Sequence, residues 1–300
     1  MPLVTIESPG SLSPNEKRAL CEQLELGSIL FFPRSPIDVP QDDLDFLLRQ
    51  QQVESGFHKN IAYRPLENRI SGADSTSPQD SAHLQCIMQG YSRAVIAFLT
   101  DFLAPYRAQW NLDYASFRPQ AEESRHLAMR KRNDLLHTDA FPTRPTHGDR
   151  ILRFFNNINP REPRRWITGG TFQQLAPRYA GKNGVPLPRS ASSTLNRSIA
   201  KFPVVRKLAP QLARSPYDAF MMDFHNFLKE NSEYQANCAK EQIDFPPGSS
   251  WMVYTDTVSH AVLSGSYALE QTLLVHHDAM VRPEDSPLGV LQSISGAPLS

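Results

Sequence analysis

Three side chains in two distant extended segments place the strongest constraint on the fold. His137 and Asp139 lie two residues apart, and His260 lies far downstream among small and β-branched residues. Residues i and i+2 of a strand point to the same face, so His137 and Asp139 project side by side. His260 can join them only if its strand is brought against theirs. This requirement favours a β-sandwich or barrel, in which distant segments of chain pair.

The remaining sequence pattern supports this architecture. From residue 113 onward the chain alternates turns with short extended runs, at 113–118, 135–141, 150–158, 250–255 and 267–275. The region before residue 113 is predicted to be helical or irregular. Its clearest helix spans about residues 80–103, where apolar residues recur at helical spacing. With 25 prolines and only 14 glycines, ordered loops are expected. We therefore expect a single domain over 1–300, with an N-terminal region of about 1–112 packed on a β core of about 113–283.

Charge and cysteine content exclude several classes of protein. Lys plus Arg and Asp plus Glu number 31 each, so we expect no general attraction to nucleic acid and no nucleic-acid partner. The three cysteines are isolated, which argues against a zinc ribbon or a disulfide framework and favours a reducing compartment. Neither a signal-peptide pattern nor a run of about 18 apolar residues is present. A cytoplasmic location is expected, contact with a membrane surface stays open, and the oligomeric state is not predicted.

His137, Asp139 and His260 together predict a metal site. Two imidazoles and one carboxylate form the facial triad of non-haem Fe(II) oxygenases, which leaves metal positions open for a cosubstrate and O2. The HxD triplet alone is weak, because a chain with 9 His and 31 acidic residues contains such triplets by chance, and a surface loop is the alternative. Its position favours the metal site, since it leaves an apolar stretch where a loop begins. The histidines interpreted as surface or packing residues are His58, His83, His126 and His225.

An oxygenase of this kind needs a two-electron donor, most often 2-oxoglutarate. Arginine suits its distal carboxylate, because the planar guanidinium binds a carboxylate through two hydrogen bonds. Many such enzymes carry this arginine on the strand after the distal histidine, but residues 267–274 contain no Arg or Lys. The strand after HxD supplies Arg153, our first choice, and Arg150, the second; a structural ion pair is the alternative for each. We predict that Gln271 also binds the cosubstrate carboxylate, together with Asn157, which shares a strand face with Arg153.

Two sequence blocks resemble one known family. Residues 137–166, HTDAFPTRPTHGDRILRFFNNINPREPRRW, and residues 259–275, SHAVLSGSYALEQTLLV, resemble the Kdo 3-hydroxylases, Fe(II)/2-oxoglutarate enzymes of bacterial lipopolysaccharide synthesis. The resemblance implies a mainly β fold with flanking helices and a double-stranded β-helix, or jelly-roll, core. It also implies that His137, Asp139 and His260 bind iron.

The reaction that this resemblance implies is an O2-dependent hydroxylation. The 3-position of Kdo, a carboxylated sugar, becomes hydroxylated to give Ko on Kdo-lipid A or its precursor, and 2-oxoglutarate is converted to succinate and CO2. Such a substrate places the enzyme against the inner face of the bacterial inner membrane, as a peripheral protein of the cytoplasm.

Residues around the predicted metal site suit an anionic glycolipid. Cationic loops attract carboxylates and phosphates, although solvated surface charge is the more ordinary interpretation of such clusters. An aromatic ring beside them can stack on a sugar or lie at a bilayer interface. The predicted substrate-binding residues are Arg130, Arg132, Arg144, His147, Arg164, Arg165 and Trp166.

Two other functions fit the same residues. A hydroxylase of this class can act on a protein or a small molecule, because the fold does not determine the substrate. A cupin-like sugar-binding module without redox chemistry is the second alternative. A hydrolytic zinc site is less favoured, because no candidate general base lies beside the triplet.

Overall fold

The computed structural model describes residues 2–50, 60–73, 77–120, 128–188 and 214–300, which form two β-sheets with helices on their outer faces. The helices are α1 (Pro14–Glu25), α2 (Gln41–Leu48), α3 (Pro78–Phe102), α4 (Phe172–Tyr179), α5 (Pro216–Glu230), α6 (Ser232–Asn237) and α7 (Pro287–Ser295). The strands are β1 (Leu3–Thr5), β2 (Ile29–Phe32), β3 (Ile61–Arg64), β4 (Arg69–Ser71), β5 (Trp110–Arg118), β6 (Arg150–Asn157), β7 (Arg164–Thr171), β8 (Glu241–Phe245), β9 (Ser250–Tyr254), β10 (Val258–Ser264) and β11 (Ala268–Val275).

Helices α1, α3, α5 and α7 begin with the same local signal. Each follows a serine whose hydroxyl accepts a hydrogen bond from a backbone N–H in the first turn, and each has proline at its first position. Proline is favoured there because its missing N–H would have no partner inside the helix. Ser-Pro pairs therefore mark helix starts on both sides of the β core.

The larger sheet has the strand order β1-β2-β9-β6-β11-β5-β3-β4, and the smaller sheet has the order β10-β7-β8. Strands β1 to β4 come from the N-terminal region, so this region contributes strands to the larger sheet as well as helices. The HxD segment extends the smaller sheet at β10. Of the strand expected at 135–141, only an isolated antiparallel bridge between His137 and His260 forms among the residues described.

Apolar side chains pack on both faces of β6. Leu152 and Phe154 belong to a core shared with α1 and α3, whereas Phe155 belongs to a core between the two sheets. Strand alternation gives Arg153 the same face as Phe155, which is the interior of the sandwich. A third core lies between the smaller sheet and helices α4, α5 and α7. In the described part of the chain, no helix is long and apolar enough to cross a membrane.

Candidate metal centre

The two predicted histidine ligands lie directly opposite each other. The backbone N–H of His137 donates to the His260 carbonyl at 3.1 Å, and the reverse bond is 2.9 Å. Their ring centroids are 4.9 Å apart. The Nδ1 atoms lie 2.7 Å from the Leu135 carbonyl and 2.9 Å from the Val258 carbonyl. Because a carbonyl only accepts, we assign the proton of each ring to Nδ1, which leaves both Nε2 lone pairs available to a metal.

Asp139 completes the group in the ionised form. Its Oδ1 lies 3.5 Å from Nε2 of His137, and its Oδ2 lies 2.9 Å from the guanidinium of Arg153. Burial opposes ionisation, but the guanidinium of Arg153 outweighs it and holds the pKa of Asp139 well below its usual range. Burial lowers the pKa of His137 well below its usual value and also lowers that of His260. Neutral imidazoles and a carboxylate are the protonation states that bind metal ions.

These side chains line a cleft between the two sheets. Three arginines, from β5, β6 and β7, share the cleft with apolar residues that restrict the access of water. The lining residues are Arg118, Asn133, His137, Asp139, Arg153, Phe155, Arg164, Trp166, His260 and Val262.

A buried carboxylate holds two of these arginines in place. Glu270, on β11, accepts hydrogen bonds from Arg118 at 2.6 and 3.0 Å, from the hydroxyl of Thr272 at 3.1 Å, and from Arg153. Burial raises the pKa of Glu270, but the two arginines outweigh burial and lower this pKa to about 2. Arg153 therefore bridges Glu270 and Asp139. Among the described residues, three arginines and Asp139 line the cleft, and Glu270 contacts two of these arginines.

The HxD segment is held on its other edge by side chains of α5 and α6. Gln235 accepts from the N–H of Leu136 at 3.1 Å and donates to its carbonyl at 2.8 Å. His225 lies with Nδ1 2.7 Å from the Thr138 carbonyl. Backbone groups of successive residues in an extended segment point to opposite edges, so Leu136 and Thr138 face away from His260. Gln235 and His225 therefore take the place of a neighbouring strand on that edge. We call these two residues the side-chain clamp.

The sequence interpretation of His225 as a surface or packing residue is incomplete. The residue is buried, and its ring lies edge-on to that of His137 at 4.9 Å. One ligand atom from each of His137, Asp139 and His225 falls within 4.8 Å of the others. His260 lines the cleft and His225 does not, so we favour His260 as the third ligand. The position of His225 on the apolar face of helix α5, four residues after Met221, is the sequence signal that predicts its burial.

Three predicted cosubstrate residues lie outside the cleft. Arg150 is fully buried on the opposite face of β6 from Arg153, where it donates to Asp256 at 2.9 Å and to Thr257. Gln271 donates to backbone carbonyls of β5 at 3.1 and 3.3 Å. Asn157 donates to backbone carbonyls at 3.0 and 2.9 Å. Each is committed to structural hydrogen bonds.

Two of the predicted substrate residues, Arg164 and Trp166, do line the cleft. Trp166 is 1% exposed and stacks on His260 with ring centroids 5.0 Å apart. The expectation that it lies at a bilayer interface is therefore wrong, because the packed sheets enclose it. Arg164 donates to the Gly265 carbonyl at 2.8 Å.

The other predicted substrate residues lie nearer the surface. Three form ion pairs with exposed or half-buried acids, namely Arg130 with Glu230, Arg132 with Asp134, and Arg165 with Asp244. His147 is half exposed and lies 3.4 Å from Asp218. Arg144 packs against two aromatic rings.

Arg118, which lines the cleft, and Glu270, which contacts Arg118 and Arg153, were not predicted from the sequence. Arg118 ends β5, in a run that was expected to be extended, and the argument applied to Arg153 would have identified it. Glu270 lies on β11, the strand that was expected to contribute Gln271 and no cation. A buried acid there is informative, because it requires cationic partners.

Comparison with known proteins agrees with this geometry. A family model described as 3-deoxy-D-manno-oct-2-ulosonic acid (Kdo) hydroxylase matches residues 9–298. The chain belongs to the Kdo hydroxylase family. The expected family is thereby confirmed. A search of curated protein sequences gave no match.

Solved structures of a Kdo hydroxylase, KdoO, cover 100% of this chain and 97% of their own at 32% identity. The TM-scores are 0.82 for the apo structure, 0.81 for the complex with α-ketoglutarate and Fe(III), and 0.83 for the complex with cobalt(II). KdoO is described as a non-haem Fe(II) α-ketoglutarate-dependent dioxygenase. The likeness confirms the expected jelly-roll architecture for this member of the Kdo hydroxylase family.

Proposed function

We propose that this chain hydroxylates Kdo, using Fe(II), 2-oxoglutarate and O2. The observation that carries the proposal is the convergence of His137, Asp139 and His260 with three arginines in one cleft, in a member of the Kdo hydroxylase family. The related KdoO has been solved with α-ketoglutarate, succinate and Fe(III), which are the expected cosubstrate, coproduct and metal.

The donor set fits iron. Two neutral imidazoles and one ionised carboxylate match the facial triad, and we propose His137, Asp139 and His260 as the ligands. When bound, the iron would supply, with 2-oxoglutarate and O2, the oxidising chemistry of the reaction. The side chains around it hold the ligands in place: Arg153 orients the carboxylate of Asp139, and backbone carbonyls fix the two imidazoles.

We place the 2-oxoglutarate carboxylate on the arginines of the cleft. Arg153 was the first choice from the sequence, and Arg118 and Arg164 now join it in place of Arg150, Gln271 and Asn157. The three guanidiniums line the same cleft, and among the described residues the carboxylates that contact them belong to Asp139 and Glu270. A planar carboxylate group can accept two parallel hydrogen bonds from such a guanidinium.

We further propose hydroxylation at the 3-position, giving Ko on Kdo-lipid A or its precursor. Insertion of oxygen at carbon requires no general acid or base from the protein, so substrate positioning is the task of the surrounding residues. Phe155, Trp166 and Val262 give the cleft an apolar wall that limits side reactions with water. Peripheral contact with the inner face of the bacterial inner membrane would bring the cytoplasmic enzyme to this lipid, with residues 1–300 acting as one catalytic unit.

Mass spectrometry of Kdo-lipid A tests the proposal directly. Incubation with the enzyme, Fe(II), 2-oxoglutarate and O2 should add one oxygen atom to the Kdo unit and release succinate. The gain should disappear in Asp139→Ala and persist in Asp101→Ala, a control in which an exposed aspartate is removed. Succinate release with peptides but not with Kdo-lipid A would favour a different substrate. A non-catalytic module would give neither product, and Asp139→Ala would not alter sugar binding.

A further inference from the structure

Guanidinium groups and aromatic rings alternate from the cleft toward the surface. The Arg153 guanidinium carbon lies 5.8 Å from the Phe141 ring centroid, and that of Arg144 lies 4.2 Å from the same ring. Arg144 also lies 4.2 Å from the Tyr114 ring, and Arg64 lies 5.1 Å from that ring. We call these five residues the arginine ladder.

Arg144 is the most constrained cation of the ladder outside the cleft. Two rings pack on its guanidinium, and the carboxylate of Asp113 accepts one of its hydrogen bonds. The side chain nevertheless remains 33% exposed. A guanidinium has five N–H donors in its plane, so ring stacking occupies its faces and leaves edge donors for another acceptor. The stacking also reduces the entropy lost when an anion binds.

Arg64 extends the positive charge from a different part of the chain. It lies on β3, next to β5, which carries Tyr114. Its side chain is 29% exposed and lies 3.4 Å from the half-exposed Glu67. Among the described residues, its buried Nε has no hydrogen-bond partner. The ladder thus offers two partly exposed guanidiniums, Arg64 and Arg144, in addition to Arg153 in the cleft.

We propose that Arg144, with Arg64 beyond it, binds an anionic group of the acceptor other than the sugar that reacts. This inference rests on the proposed function, because a Kdo-containing glycolipid carries several anionic groups. Arg144 and Arg153 pack on the same Phe141 ring, so the outer anion site lies one ring away from the cleft. The ligand is a carboxylate or a phosphate, which a guanidinium binds through the same pair of hydrogen bonds.

Steady-state kinetics with two acceptors tests the inference. Arg144→Gln removes the cation, Arg144→Lys keeps the charge and the ion pair with Asp113 but loses the fork, and Arg18→Gln removes an exposed arginine of α1 as the control. Loss of a charge-assisted contact should raise KM for Kdo-lipid A by about 10- to 100-fold in Arg144→Gln. The value of kcat and the KM for 2-oxoglutarate should stay within about threefold of wild type, as should every parameter of Arg18→Gln. Arg144→Lys should give an intermediate KM.

Tyr114 provides a matched pair of variants for the stacking itself. Tyr114→Phe keeps the ring and should retain the wild-type KM, whereas Tyr114→Leu removes it and should raise KM by about three- to tenfold.

Measuring the KM of Arg144→Gln for dephosphorylated Kdo-lipid A identifies the anion. An effect that persists assigns it to a sugar carboxylate, and an effect that vanishes assigns it to a phosphate.

Unchanged KM for Kdo-lipid A in Arg144→Gln would overturn the inference. A defect confined to kcat, or to the KM for 2-oxoglutarate, would also overturn it. Equilibrium binding of Kdo-lipid A to the metal-free protein separates this result from failure of the proposed function. If the wild type binds the lipid without oxidising it, and binding requires Arg144, only the proposed reaction fails. If the wild type neither binds nor oxidises it, both fail.

Discussion

Replacement of Glu270 by glutamine is expected to destabilise the fold by an amount that the structure allows us to calculate. Glu270 is 1% exposed and its carboxylate balances Arg118 and Arg153. Its pKa falls from 4.5 to about 2 on folding, and such a shift corresponds to about 3 kcal/mol of stability at neutral pH. Removing one partner of a buried ion pair typically costs about 3–5 kcal/mol, which agrees. Glu270→Gln should therefore lower the free energy of unfolding by about 3 kcal/mol.

The pH dependence has a definite sign. A carboxyl group with a depressed pKa stabilises the folded state fully above its unfolded pKa, and loses this contribution as pH falls through the folded pKa. Urea unfolding of wild type and Glu270→Gln should differ by about 3 kcal/mol from pH 7 to about pH 5, and the difference should then shrink to about half near pH 3. Asp278→Asn, which removes a fully exposed carboxylate, is the control and should show no such trend.

The same variant should respond more strongly to cosubstrate. Glu270→Gln removes a carboxylate that competes with 2-oxoglutarate for Arg118 and Arg153, so 2-oxoglutarate should raise the melting temperature of metal-free Glu270→Gln more than that of wild type. A loss of stability below 1 kcal/mol at pH 7, or one that is the same at pH 7 and pH 3.5, would refute the assignment of Glu270 as the charge that holds the two arginines.

The side-chain clamp and Arg153, the proposed cosubstrate arginine, give three further predictions. Gln235→Leu should lower the free energy of unfolding by about 2–4 kcal/mol in chemical denaturation, because the N–H and carbonyl of Leu136 lose their partners; full retention of stability would contradict the clamp. His225→Leu should weaken Co(II) binding about 10- to 100-fold in a spectroscopic titration. Since the amide of asparagine can still donate to the Thr138 carbonyl, His225→Asn should recover most of the loss, and equal defects would argue against this hydrogen bond. Arg153→Lys keeps the positive charge but loses the two parallel N–H donors of the guanidinium. Anaerobic titration should therefore show an approximately tenfold rise in Kd for 2-oxoglutarate.

Relations set by spacing along one strand could be predicted from the sequence. Spacing placed His137 beside Asp139, and alternation separated Arg153 from Arg150. Alternation could not decide which arginine faces the cleft, because helices bury one face of β6 and the second sheet buries the other. Both faces therefore carry apolar residues, and only the tertiary structure distinguishes them.

Residues contributed by distant elements were harder to find. His225 lies 87 residues after Thr138, and Gln235 lies 99 residues after Leu136. No local sequence pattern indicates that these helical residues contact the HxD segment. The basic clusters are less informative, because acids such as Glu230 and Asp244 form surface ion pairs with them. Such pairs contribute little energy and indicate little about a ligand.

The side-chain clamp has a consequence for association between chains. The HxD segment is the outermost extended piece of the smaller sheet, and unpaired N–H and carbonyl groups at a sheet edge invite a strand from another molecule. Gln235 and His225 occupy the Leu136 amide and carbonyl and the Thr138 carbonyl, so those positions cannot template intermolecular β pairing. The helices α5 and α6 thus protect the chain from edge-to-edge aggregation at the segment that carries the proposed metal ligands His137 and Asp139.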